Sequence, residues 1–182
     1  MVVCLVGFMG AGKTIVGRAL AQRLGWRFLD LDDLIESREG RSVAEIFART
    51  GESGFRSAEA ITLKELLTAS ALSGASMVLA LGGGAYTQPE NEAVLQRANT
   101  TTVFLSASAQ ELWQRCLTKQ TVGGDTRLRP LLKDEASFKQ MYFERLPVYE
   151  RAQLVISTSG KSVEAIADEI HSALEPLLPE KT

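Results

Sequence analysis

The chain opens on a short apolar run, Val2-Val3-Cys4-Leu5-Val6. Gly7-Phe8-Met9-Gly10-Ala11-Gly12-Lys13-Thr14 follows at once, and then Ile15, Val16, Ala19, Leu20 and Leu24 recur at helical spacing. A strand, a glycine-rich turn closing in Lys-Thr and a helix, in that order, leave few folds open. The glycines at 7, 10 and 12 allow a backbone that aims successive N–H groups into one concavity, and the helix adds the positive end of its dipole. Such a cradle suits phosphate. Gly10, Ala11, Gly12, Lys13 and Thr14 are the expected nucleotide contacts: Lys13 reaches the β- and γ-phosphates of a bound nucleotide, and the Thr14 hydroxyl ligates the Mg2+ that bridges them.

The rest of the chain repeats the strand-then-helix order. Trp26 to Asp32 reads as a second strand ending in acid. Ser42-Val43-Ala44-Glu45 is a capping-box pattern that opens a short helix closed by Gly51, and a longer helix is expected from about Ser53 to Ala71. Met77 to Leu81 is a continuous apolar run, as a strand buried on both faces requires, and it runs into Gly82-Gly83-Gly84. Thr101 to Leu105 and Leu154 to Ile156 supply the last two strands, and Val163 to Leu174 the closing helix. The pattern predicts an α/β fold: a five-stranded parallel sheet with helices on both faces, of the P-loop, nucleoside-monophosphate-kinase-like type. Periodicity lapses between about residues 119 and 133, a polar, basic stretch that reads as a lid. A helix carrying Phe138, Met141, Tyr142 and Arg145 follows until Pro147 disturbs it.

Length and charge narrow the function. At 182 residues a single domain spanning 1–182 is expected. A net charge of −2 argues against a nucleic-acid binder, and no apolar run is long enough to cross a bilayer, so neither nucleic acid nor membrane is an expected partner. The start of the chain shows no leader. Cys4 and Cys116 sit in apolar patterns as small core residues, which together with the missing leader predicts a cytoplasmic protein. His171 stands in the last helix with no ligand cluster around it and is not expected to be catalytic. A monomer is the expected state.

Ligands of parallel sheets bind beyond the carboxyl ends of the strands, where the glycine cradle, Asp30 and Asp32, and the triple glycine at 82–84 all fall. Two residues apart on an extended backbone, Asp30 and Asp32 would share a face, one serving the metal and the other an acceptor hydroxyl. The triple glycine allows backbone N–H groups to approach a small polar substrate. Arg56, Arg129 and Arg145 are candidates for bidentate recognition of carboxylate or phosphate. A guanine-reading Asn-Lys-x-Asp segment is missing, and the strand at 77–81 ends in glycines rather than the aspartate of a motor ATPase. A small-molecule kinase, for instance of gluconate or a nucleoside monophosphate, and a noncatalytic nucleotide-dependent binding protein, remain open on these grounds.

Taken together these residues resemble the shikimate kinase family over nearly the whole chain. The marks are the loop at 7–14, Phe28 to Asp32 with Ile35-Glu36, Gly51-Glu52 with Phe55-Arg56 and Glu59, Gly82-Gly83-Gly84, Arg129-Pro130-Leu131-Leu132, and Arg145 with Pro147 and Tyr149. The resemblance implies transfer of the ATP γ-phosphoryl group to the 3-hydroxyl of shikimate. It implies that Asp32 holds that hydroxyl and assists its deprotonation, and that Asp30 and Thr14 belong to the Mg2+ shell. Arg56, Arg145 and the Gly82–Gly84 backbone would bind the shikimate carboxylate. Lys13 and Arg129, the latter from the closing lid, would stabilise the transferring phosphoryl group.

Overall fold

The computed structural model describes residues 1–123 and 134–178. Val2–Val6 is strand β1, and all of its residues are buried. Successive side chains of a strand point to opposite faces, so this burial requires cover on both sides of the sheet. Strands β2 (Arg27–Asp30), β3 (Met77–Ala80), β4 (Thr101–Ser106) and β5 (Leu154–Ser157) complete a five-stranded parallel sheet in the order β2-β3-β1-β4-β5. The edges are wetter: β2 starts at exposed Arg27, and β5 exposes Val155 and Ser157. The expected fold class is the one adopted.

Helix α1 (Lys13–Leu24) leaves the glycine loop and stops at Gly25, whose left-handed backbone (φ 66°) donates its N–H to the Ala21 and Gln22 carbonyls. It packs on β2 and β3 and against α7 (Val163–Leu174). The remaining helices are α2 (Leu31–Glu39), α3 (Val43–Ser73), α4 (Pro89–Arg97), α5 (Ala109–Gly123) and α6 (Glu135–Tyr149). The capping box forms as expected at the start of α3: Ser42 Oγ accepts from Glu45 N at 3.3 Å, and Glu45 Oε2 accepts from Ser42 N at 2.8 Å.

Three local expectations need correction. Asp32 lies in the first turn of α2, not on β2, because Asp30 caps that helix by accepting from Asp32 N at 3.1 Å. Helix α5 continues to Gly123, so the first residues of the supposed lid are helical; the rest of it, with Arg127 and Arg129, lies outside the described residues. Helix α6 runs through Pro147 to Tyr149. The missing Pro147 N–H deprives only the carbonyl of Phe143, an exposed residue where water can replace the bond.

Gly51 interrupts α3 with φ 69° and ψ −173°, a region open in practice to glycine alone, and it joins the two helices read from the sequence. Phe47 and Phe55 stack across the bend, with ring centroids 4.6 Å apart. An added Cβ at Gly51 would touch nothing within 4 Å, so substitution tests the backbone alone. Gly51→Ala should lower the unfolding free energy by about 1–3 kcal/mol in a denaturant titration, despite the better helix propensity of alanine.

Candidate active site

The sheet order sets the ends of β2, β3 and β1 side by side, and the candidate residues follow those ends. A cavity of about 400 Å³ lies there, lined by the 9–15 loop together with Asp30, Asp32, Asp33, Gly82 and Gly83. Lys13 Nζ donates to the carbonyls of Gly7 (2.8 Å) and Phe8 (3.1 Å), so the ammonium stays folded over its own loop. Phe8 is fully buried and meets Phe138 and Tyr142 edge-on, at 4.9 and 5.5 Å between centroids, which pins the loop to α6.

Thr14 Oγ1 donates to Asp30 Oδ2 at 2.8 Å. A hydroxyl and a carboxylate at contact, with Asp32 and Asp33 on the same cavity wall, are hard oxygen donors of the kind Mg2+ takes when it keeps several waters and binds phosphate. Among the described residues no three His, Cys, Asp or Glu side chains converge as a metal cage. An ion held here would draw its other ligands from nucleotide and water.

On the acceptor side, Arg56 Nη1 donates to both oxygens of Glu59, at 3.0 and 2.9 Å. Glu59 is fully buried, and the Arg56 side chain is 16% exposed. Burial pushes the Glu59 carboxyl above its usual range, Arg56 pulls it back, the Asp32 charge pushes it up, and Arg145 pulls it down. The glycines make room for this cluster. A Cβ on Gly82 would stand 2.9 Å from Asp32 Oδ1 and 3.2 Å from Glu59 Oε1, and one on Gly84 would stand 2.4 Å from Arg56 Nη2. Arg145 lies over the Phe8 ring at 5.8 Å from its centroid. The hydroxyl of buried Tyr149 donates to the Gly83 carbonyl.

The family model for shikimate kinase matches residues 9–175. The chain belongs to the shikimate kinase family. A shikimate kinase of Geobacter metallireducens is 44% identical over 176 residues, covering 95% of this chain and 91% of that protein. One from Synechococcus sp. (strain CC9605) is 41% identical over 181 residues, covering 98% and 84%. The solved structure of a shikimate kinase from Acinetobacter baumannii in complex with shikimate superposes with a TM-score of 0.83 at 35% identity, over 97% of this chain and 93% of that one.

In this shikimate kinase chain the predicted residues Lys13, Thr14, Asp30, Asp32, Gly82 and Gly83 meet on one cavity. Arg56 and Gly84 stand immediately behind its glycine wall, and Arg145 reaches the same cluster through Glu59 and Phe8. Arg129 is outside the described residues. Sequence reasoning gave Glu59 no role beyond its place in the motif, although its i,i+3 spacing from Arg56 signalled the pair. It also missed a second groove of about 580 Å³ on the far side of the loop, lined by Gly10, Gly12, Ile15, Arg115, Thr158 and Lys161 among others. Arg115 there donates to Thr158 Oγ1 and to the Thr158 carbonyl, both at 3.0 Å. The position of Thr158 just beyond the carboxyl end of β5 was the available signal.

A raised carboxyl favours folding at low pH, so the contribution of Glu59 is complete below its unfolded value of 4.5 and is lost as pH rises through the higher folded value. Glu59→Gln cannot ionise. Its melting temperature relative to the parent should therefore climb as pH is raised from 4 toward neutrality, and a difference that stays flat over that range would remove Glu59 from the pH dependence.

Proposed function

We infer that the protein phosphorylates the 3-hydroxyl of shikimate from ATP, giving shikimate 3-phosphate on the way to chorismate and the aromatic amino acids. The observation that carries this reading is a phosphate cradle sharing a glycine wall with a shielded guanidinium, in a chain of this family. A nucleoside monophosphate offers a phosphate where Arg56 and Arg145 suit a carboxylate; gluconate also carries a carboxylate, and membership of the shikimate kinase family is what favours the ring acid over it.

In this mechanism Asp32 receives the proton of the acceptor hydroxyl, and Arg56, Arg145 and the glycine N–H groups hold the carboxylate. Arg56 gives Nη1 to Glu59 and shares Nε and Nη2 with exposed Glu52 at 3.4 and 3.3 Å, so a substrate carboxylate takes the remaining donor of the five and displaces the longer Glu52 contacts. Lys13 exchanges its loop carbonyls for phosphate oxygens and follows the transferring group. Thr14, with Asp30 behind it, would hold Mg2+, which would supply positive charge against the β- and γ-phosphates. For Arg129 the proposal rests on the sequence motif alone: a second cation at the transferring phosphoryl group. The groove beside Arg115 and Ile15 takes the nucleoside end of ATP. Two buried free thiols fit a cytoplasmic protein.

Coupled ADP release, screened over shikimate, quinate, gluconate and nucleoside monophosphates, tests the reading. Shikimate should be turned over in clear preference, and turnover of gluconate or a nucleoside monophosphate in its place would replace the assignment.

The two aspartates should separate. Asp32→Asn should lose roughly 100- to 10,000-fold in turnover while still binding Mg·ATP, because an amide cannot take the proton. Asp30→Asn keeps the capping geometry of α2 and should be partly rescued by raised magnesium. Activity titrated against magnesium for both variants checks this, and rescue of Asp32→Asn alone would reverse the roles.

A further inference from the structure

Tyr149 ends α6 fully buried and stacks on Phe104 of β4, with centroids 5.4 Å apart and planes at 22°. Its hydroxyl donates to the Gly83 carbonyl, and Arg145, one turn earlier on the same helix, is the cation beside its oxygen. The direction of this relay is forced. A guanidinium has no acceptor and a carbonyl no donor, so Arg145 can only present donors to the Tyr149 oxygen and the Tyr149 proton goes to Gly83. Holding the Gly83 carbonyl also fixes the peptide plane and sends the Gly84 N–H to its opposite side. Among the described residues neither the Gly83 nor the Gly84 N–H has an acceptor.

We propose that Tyr149 is a positioning residue for the acceptor: its hydroxyl sets the Arg145 guanidinium and the Gly83–Gly84 peptide in one geometry, so that a carboxylate meets both at once. The proposal rests on the functional reading above and deepens it. Phe8 holds the other side of the guanidinium, which leaves Arg145 little freedom once the hydroxyl is engaged. Burial pushes the Tyr149 hydroxyl up to about 12, so it remains a neutral donor throughout the working range. The ring and the hydroxyl have separable tasks. The ring fills the space against Phe104; the hydroxyl carries no apolar packing and sits where two substrate-facing groups meet.

Tyr149→Phe keeps the ring and deletes the relay. Coupled ADP release, with shikimate varied at saturating ATP and ATP varied at saturating shikimate, should show the shikimate KM raised roughly 5- to 30-fold. The ATP KM and kcat should stay within about twofold. With the carboxamide of shikimate as acceptor, parent and variant should differ by less than about twofold, because the neutral amide does not draw on the aligned guanidinium. A shikimate KM within twofold of the parent in a folded variant overturns the proposal. So does a fall in kcat, or a parallel rise of both KM values with a lowered melting temperature, which would mark Tyr149 as structural only. Parent turnover of shikimate is measured first: its failure removes the functional reading and this inference with it, whereas an active parent with an unaffected variant removes only the inference.

Discussion

The hydrogen-bond ladder between β1 and β3 sets every distance at the rim. Val2 to Leu5 pair in register with Met77 to Ala80, and the Leu81 N–H extends the ladder to the Leu5 carbonyl at 3.0 Å. That register brings Gly83 against the phosphate loop, where an added Cβ would lie 3.7 Å from Met9 N. A slip of one residue would move the two loops by about 3.3 Å and turn each side chain to the other face. The sheet is thus the ruler against which donor and acceptor sites are spaced, and its dry centre keeps the ruler stiff.

Charge at the acceptor side is handled by confinement. A buried carboxylate is costly alone: burial pushes Glu59 up the most, Arg56 offsets part of that cost with Arg145 assisting, and Asp32 adds to it. In return Glu59 fixes the guanidinium that a substrate must find. The glycines at 82 and 84 are the spatial condition for this arrangement, since a methyl group at either would enter the space of Asp32 or Arg56. Backbone freedom is not their reason here: neither has the positive φ seen at Gly7, Gly10 and Gly12.

Local pattern was enough for the glycine loop, the strands and the helical arginines, because each depends on residues within a few positions of one another. It failed where a decision is made across the chain or by a single side chain. Asp30 and Asp32 were read on one strand face, yet the Asp30 carboxylate starts a helix at the next residue, a choice that alternation over so few residues cannot reveal. Tyr149 stood in the motif as a letter without a task, since its partner Gly83 comes from another strand end. Arg115 and Thr158 meet only after β4 and β5 have paired.

The resting position of Lys13 bears on how tightly ATP is held. Its ammonium already has two carbonyl partners in the loop, at 2.8 and 3.1 Å, so nucleotide entry trades one set of charge–dipole contacts for another rather than filling an unmet need. The net gain is the difference between the two sets, smaller than the phosphate contact taken alone. The same exchange runs backward when ADP departs, and the loop itself then supplies the incoming partners. A cradle that solvates its own cation in this way releases product more readily than one left with a bare charge, which favours turnover over grip.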